Sequence, residues 1–532
     1  MKNYADLTSE DLEKMDKKTI IRIFCSMQSQ YNAISHQLEY ITEQIALMNQ
    51  RSFGRKTEKI DDMQLTFDIF NEPESLSDDS PDPEITEVVV HSHTRKTKTK
   101  REEKLDGIPS RIIDHKIDEE KLKELFPNGY KELPCAVYKR LSIIPQTFIV
   151  DEHHVHIYAS KDNDGTMVKA DRPPDLFGKT SLATPPLVST IITGKYQNHL
   201  PLKRQIQYFK DGGVTLEENT LANWMIDASD KYLSVIYNEM HSDLKSYHVV
   251  HADESPLKVI KKDDPDDNKL SYMWVYRTGA SEKGHQIILF DYEPGRNHYH
   301  PDVFLKDFSG ILVTDGYQAY HALERQRQDI KVAGCWVHAK RRFADLVKAV
   351  GAENVDSTIS AQAVKKIAEI FHLDNQLNGL ARYKRKKKRQ QVVKPKVDDF
   401  FAWLKETIQK LPSESHTAKA INYCLNQEQY LRVFLSDPDV PMDNNSAERA
   451  IRPFTLGRKN WVITYSSKGA RASAVLYSIV ETAKANNLKV YEYINLVLSE
   501  MMEHKDDPDQ SYVRDLLPWS EYVQEKCHAP IK

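Results

Sequence analysis

Apolar residues Ile20, Phe24, Met27, Tyr31, Ile34, Leu38, Ile41, Ile45 and Met48 step alternately by four and three. That alternation is the a/d seam of a coiled coil, which predicts either self-association or a helix packed on its own protein. Periodicity is lost between Asn71 and Lys104, where an acidic, proline-bearing stretch gives way to a basic cluster; this predicts a disordered linker. Alternating runs at Tyr138–Val150 and His153–Ala159 then predict a few antiparallel strands. Leu202, Ile206 and Phe209 mark one helical face, Gly212-Gly213 breaks it, and Thr215-Leu-Glu-Glu218 is a capping box for a second helix. The pair reads as a helix-turn-helix with Glu217, Glu218, Asn219, Thr220 and Asn223 on or near its second helix, or as a hairpin used only for packing. Further on, Tyr247–Ser255, Tyr272–Thr278, His285–Asp291, Ile311–Thr314 and Lys331–Val337 read as strands. Helices are predicted around Pro301–Phe308, over His338–Val350, through 351–440 and over Ala474–Leu498.

The pattern gives a multidomain α+β chain. Its expected units are an N-terminal coiled coil (1–70), a linker (71–104), a small β-rich unit (105–180) and a helical hairpin (181–245). A mixed α/β core follows in two parts, 246–350 and 441–500, separated by a helical insertion (351–440) and followed by a tail (501–532). At 532 residues there is room for several cores. With 40% hydrophobic and 29% charged residues, no apolar run long enough for a membrane span and no apolar leader, a cytoplasmic protein is expected. Cysteines at 25, 135, 335, 424 and 527 include no Cys-x-x-Cys pair, which argues against a disulfide framework and against structural zinc. A formal charge of −4 does not advertise nucleic-acid binding, so local clusters must carry it. The densest is Arg382, Lys384, Arg385, Lys386, Lys387, Lys388 and Arg389, either a phosphate anchor or mobile surface.

Candidate chemistry lies where apolar runs end in acids. Asp253 follows Tyr247-His-Val-Val-His-Ala, and Asp315 follows Gly310-Ile-Leu-Val-Thr. The third acid, Glu448, lies in Asp443-Asn-Asn-Ser-Ala-Glu-Arg-Ala-Ile-Arg-Pro453, a helix that Asp443, Asn444 or Asn445 can cap and that the proline closes. Helical spacing puts Asn444, Glu448 and Arg452 on one face, where Glu448 could simply pair with Arg452. Separations of 62 residues between the aspartates and 133 from Asp315 to Glu448 leave room for the helical insertion. Glu254 is a rival ligand, but adjacent strand residues point to opposite faces. His251 shares Asp253's face, either orienting a water or phosphate or simply hydrogen-bonded.

Four segments, His251-Ala-Asp-Glu-Ser-Pro256, Thr314-Asp-Gly-Tyr-Gln-Ala-Tyr320, Cys335-Trp-Val-His-Ala-Lys-Arg-Arg-Phe343 and Asp443–Pro453, resemble those of the insertion-sequence sixty-six family of bacterial transposases. Phe53-Gly-Arg-Lys-Thr-Glu-Lys59 and Gly457-Arg-Lys-Asn-Trp461 extend the resemblance. It implies a DDE transposase with a ribonuclease-H-like core and Asp253, Asp315 and Glu448 as catalytic metal ligands. Two Mg²⁺ (or Mn²⁺) ions would be held, with Asp253 bridging. The implied partners are the element's terminal inverted repeats, target DNA, further copies of the chain and accessory proteins encoded by the same element. Arg449, Arg452, Arg458, Lys459, Arg385, Lys386, Lys387 and Lys388 are candidate DNA contacts. Many members carry a zinc module with paired cysteines where this chain keeps only Cys135, so that unit either folds without metal or has decayed. Cys335 and His338 match a motif to which the sequence assigns no role, and no zinc is expected of them. The alternatives are a metal-dependent nuclease that cuts without joining and an inert DNA-binding regulator.

Overall fold

The computed structural model describes residues 15–28, 41, 112, 120–121, 127–128, 147–159, 167–264, 269–279, 284–350, 358–505, 507 and 510–529. The chain divides into two compact units, Met1–Gly54 with Phe148–Ala529, and Arg55–Thr147 with Pro530–Lys532; every element named below lies in the first. Residues 17–28 form a helix on which the seam residues Ile20, Phe24 and Met27 are exposed, as is Ile41. The rest of the expected seam and the linker lie outside the described residues. Among the described residues, no helix is long and apolar enough to cross a membrane.

Near the start of the continuous part, β1 (Ile157–Ala159) pairs antiparallel with β2 (Met167–Lys169) in an exposed two-stranded ribbon. It is shorter than the predicted alternation, since residues 147–156 take no strand. Helices Pro185–Tyr196, Leu202–Asp211, Glu218–Ala228 and Ser234–Leu244 follow, the last two joined through a π turn at Ser229–Leu233. The predicted capping box is not formed. The chain enters the Glu218 helix extended through Glu217, with no side-chain cap, because Leu216 is drawn into the core ahead of it. Asn219 and Asn223 stay exposed.

The centre is a mixed five-stranded sheet of β3 (Val249–Leu257), β5 (Ser271–Thr278), β6 (Ile288–Glu293), β7 (Gly310–Thr314) and β8 (Ile330–Gly334), in the order β6-β5-β3-β7-β8, while β4 (Val259–Lys261) pairs outside it. The first three strands in the chain form an antiparallel meander, and β7 and β8 join parallel on the other side of β3. One face packs Tyr276 against Phe304 at 4.0 Å and Trp274 against Tyr320 at 5.8 Å. The other is covered by helices Asn445–Trp461 and Ser467–Ala485, where Tyr477 packs against both Phe290 of the sheet and Phe454. Edge strand β6 is closed by hydroxyls: Phe290 N donates to Ser478 Oγ at 2.7 Å, Ile288 N donates to Thr482 Oγ1 at 3.0 Å, and Thr482 Oγ1 donates to Ile288 O at 2.9 Å. An open row of backbone groups would invite further pairing, and these bonds remove it.

Between the Trp336–Val350 helix and the Asn445–Trp461 helix, the described chain from Ile359 to Ser436 is helical. Trp336 fixes this segment to the sheet, its ring lying 5.7 Å from Phe400 and 5.9 Å from Phe401 while Nε1 donates to Leu431 O at 2.8 Å. Two expectations at the C-terminal end are corrected. The single helix read over Ala474–Leu498 is two, Ser467–Ala485 and Val490–Glu503, broken where Asn487 takes a left-handed φ of 58°. Residues after 501 are not a loose tail: Val513, Leu516, Leu517, Val523 and Cys527 are buried, and Lys489 N donates to Cys527 O at 2.8 Å.

Candidate active site

Asp253 sits inside β3 rather than beyond its end, and its register partner across the sheet is Val275. Paired residues share a face, so His251, Asp253 and Ser255 point toward the Asn445–Trp461 helix with Arg277, Val275 and Met273. On the parallel side the last paired rung is His251 with Val313, and continuing two residues brings Asp315 abreast of Asp253. Adjacent strands lie about 4.8 Å apart, so the two carboxylates are neighbours although 62 residues separate them. Asp315 Oδ1 accepts from Tyr317 N at 2.9 Å and its carbonyl accepts from Tyr423 at 3.0 Å, which fixes the turn.

Burial, then the negative charges of Glu254 and Asp315 and finally that of Glu448, push the Asp253 carboxyl well above its ordinary range. The charges of Asp315 and Glu448 thus both bear on Asp253. Asp253 accepts one hydrogen bond, from the Glu254 N–H at 2.9 Å, and no cation among the described residues balances it. Glu254 lies on the opposite face, with its side chain 1% exposed. There it pairs with Arg296 and accepts from Tyr320 Oη at 2.8 Å, while Arg296 stacks 3.7 Å over the Tyr317 ring. Glu254 is thus neutralised by the protein itself.

Glu448 lies in the first turn of the Asn445–Trp461 helix, and of the three residues expected to cap its start Asp443 does so. Asp443 Oδ1 accepts from Asn445 N at 3.0 Å, whereas Asn444, fully buried, turns its amide to the sheet. Asn444 Nδ2 donates to Ala252 O at 2.8 Å, so its Oδ1 accepts, at 2.9 Å, from His251 Nδ1, which carries the proton. Burial first, then Arg277 and Arg449, lower the His251 pKa to about 4, so the imidazole is neutral. This bridge sets Glu448 beside the Asp253 strand.

Pro453 does not close the helix, which runs on to Trp461. Burial of Phe454 and Gly457 beyond it outweighs the lost N–H bond. Asn444 does not join Glu448 and Arg452 on the expected helical face, because it lies outside the helix and is buried. Glu448 faces His338 Nδ1 and Arg341, each at 3.5 Å, rather than Arg452. Glu448 Oε1 and His338 Nδ1 are both buried without a hydrogen-bond partner. Cys335, His338 and Glu448 offer ligand atoms all within 4.8 Å of one another; Asp253 and Asp315 belong to no such tight group among the described residues.

The candidate DNA contacts separate into two kinds. Arg389 is fully buried, paired to Asp374 through Nε at 2.6 Å, and donates to the carbonyls of Phe434, Asp437 and Val440. Arg385 binds the same Asp374 at 3.1 Å. Both are corrected from phosphate anchors to internal struts, since a guanidinium with five donors satisfies buried carbonyls that a lysine would leave unpaired. Arg458 is likewise engaged, donating to Ser255 Oγ at 3.0 Å and to Pro256 O. Lys386, Lys387, Lys388, Arg449, Arg452 and Lys459 remain exposed.

Asp253 within β3, Asp315 just past the end of β7 and Glu448 on a helix laid across the same sheet are the acids of a mixed α/β fold. A family model described as "Transposase IS66 family" matches residues 180–472, more than half of the chain and all three acids. The chain belongs to that family. A second model, "Transposase C of IS166 homeodomain", matches residues 41–113, crossing the boundary expected at 70 and taking in the linker. The chain is also similar to three uncharacterized proteins of Sinorhizobium fredii (strain NBRC 101917 / NGR234). To y4qI it is 29% identical, over 72% of this chain and 70% of that one. To y4hP it is 28% identical, over 63% and 62%, and to y4jD 27%, over 71% and 74%. No solved structure matches the chain.

Proposed function

We propose that this transposase cuts and joins DNA by metal-dependent phosphoryl transfer at Asp253, Asp315 and Glu448, within a ribonuclease-H-like core. The observation that carries the reading is the register of β3 with β7, which sets Asp315 abreast of Asp253 while Asn444 ties the Glu448 helix to the same strand. The sheet order, with three antiparallel strands followed by two parallel ones, supports the core assignment.

The donor set fits a hard divalent cation: Asp315 and Glu448 both bear on Asp253, which no cation among the described residues balances. Asp253, Asp315 and Glu448 would hold it. Bound Mg²⁺ would supply charge for the phosphorane-like transition state and a more acidic water. The protein's part is positioning. The Asn444 bridge and the Arg458 contacts hold the glutamate against the strand, and the Glu254–Arg296 pair closes the far face against a competing ligand. Exposed Lys386, Lys387, Lys388, Arg449, Arg452 and Lys459 would meet phosphates without reading bases. The exposed apolar residues Ile20, Phe24 and Met27 support self-association through the N-terminal helix. Accessory proteins of the same element remain proposed partners.

The test is Asp253→Asn, Asp315→Asn and Glu448→Gln, assayed on a duplex carrying the element's terminal repeat with a target plasmid and Mg²⁺. Each variant should lose at least about 100-fold in nicking while retaining DNA binding. Undiminished nicking in any of them removes that residue from the site. Cut ends without joined product would identify a nuclease, and binding without any cutting an inert regulator.

A further inference from the structure

Beside the three-carboxylate site lies a second donor set of different chemistry, sulfur, nitrogen and oxygen from Cys335, His338 and Glu448. Cys335 immediately precedes the Trp336–Val350 helix, His338 is one turn further on, and Glu448 comes from the first turn of the Asn445–Trp461 helix. Sequence offers only the first two, too few for zinc; the fold adds the third. His338 Nδ1 and Glu448 Oε1 stand 3.5 Å apart, both buried and neither hydrogen-bonded. That is too long for a charge-assisted N–H to carboxylate bond, about 2.7–2.9 Å. It is close to the spacing of about 3.3–3.4 Å between two donors that each lie about 2.0–2.1 Å from one tetrahedral ion. Burial pushes the Cys335 thiol up to about 12, and against that the backbone N–H of Asn444 donates to Sγ at 3.3 Å and that of His338 also points to it. Such N–H to sulfur bonds stabilise and orient a metal-bound thiolate.

We propose that Cys335, His338 and Glu448 form a binding site for a zinc-like divalent cation that shares Glu448 with the three-carboxylate site. On binding, the Cys335 thiol loses its proton to solvent, and the fourth position is left to water. Mg²⁺ is disfavoured there, since it prefers oxygen ligands and octahedral geometry. Occupancy withdraws Glu448 from the acid trio, so this cation and the catalytic one exclude each other. The exclusion rests on the proposed role of Glu448; the binding does not.

Co²⁺, titrated into the metal-free full chain, is the spectroscopic probe. Wild type should develop a sulfur-to-cobalt charge-transfer absorption that saturates at one equivalent and is lost when Zn²⁺ is added. Cys335→Ser should abolish the absorption, and His338→Gln and Glu448→Gln should each weaken Co²⁺ binding tenfold or more. No such absorption in wild type, or its survival unchanged in Cys335→Ser, overturns the site. Should Cys335→Ser fail to fold, undiminished binding in both other variants does the same. One equivalent of Zn²⁺ should then reduce Mg²⁺-supported nicking of a terminal-repeat duplex at least tenfold, and unaffected nicking overturns the exclusion. The cobalt experiment uses no DNA, so a protein that binds Co²⁺ as described yet never nicks sinks the transposase mechanism and leaves the metal site standing.

Discussion

Asn444 does not cap its own helix and bonds instead to the strand that carries Asp253. Asn444→Ala orphans the Ala252 carbonyl and His251 Nδ1, at about 1–3 kcal/mol for each buried group. Urea unfolding should show that loss together with reduced nicking, and a change under about 0.5 kcal/mol would contradict the bridge's role. The histidine adds a pH dependence. Its folded pKa of about 4 lies below the ordinary histidine value of 6.5, so the unfolded chain takes up the proton first on acidification. The stability that His251 contributes is present above pH 6.5 and lost as pH falls toward 4, on the order of 3 kcal/mol in all. Asp253, with its raised pKa, opposes this, gaining stability on acidification. The comparison that isolates the histidine is wild type against His251→Gln, whose stability should fall less steeply over that interval. Some of this was legible from residue order: two apolar runs ending in aspartate pointed to Asp253 and Asp315. Asn444 read only as a cap, because a side chain that leaves its helix for a strand 192 residues away gives no local signal.

A run of seven basic residues contains two functions that composition cannot separate. Arg385 and Arg389, four apart, turn one side of the segment inward to Asp374, and the lysines beside them face solvent. Arg389→Ala should therefore lower unfolding free energy by about 3–5 kcal/mol, since it leaves three carbonyls without their donor and the buried Asp374 with Arg385 as its remaining cation. Replacing Lys386, Lys387 and Lys388 by alanine should change stability by no more than about 0.5 kcal/mol each. For each lysine that meets phosphate, the log–log salt slope of DNA binding should fall by about 0.9; an unchanged slope would mean that none does. At the far edge of the sheet, Thr482→Val orphans both backbone groups of Ile288, at about 1–3 kcal/mol per group by thermal or chemical unfolding. Strands were readable from their apolar runs to within a few residues. The helix through Pro453 was not, since tertiary burial overrode a strong local stop signal.

Across the molecule, the helices from Ile359 to Ser436 interrupt the sequence between Asp315 and Glu448 without being separable from the sheet. Trp336 lies among Phe400, Phe401 and Phe434, and Tyr423 holds the carbonyl of Asp315. Excision of 358–436 behind a short linker should leave no soluble, cooperatively folding protein; a folded product with a sharp melting transition would contradict this. The sequence pattern conveyed that an interruption exists, but not the aromatic contacts that weld it in place, which join residues far apart in the chain. One arrangement also constrains how a substrate can enter. The Glu448 helix is fastened along β3 at its start through Asn444 and further on through Arg458. Beyond its end, β9 (Thr464–Ser466) pairs parallel with β4 (Val259–Lys261), which follows β3. Fastened three times over, strand and helix form one stiff unit carrying two of the three acids, and the β3–β7 ladder ties the turn that bears Asp315 to the same unit, so under the proposed function the acids would not part to admit a duplex.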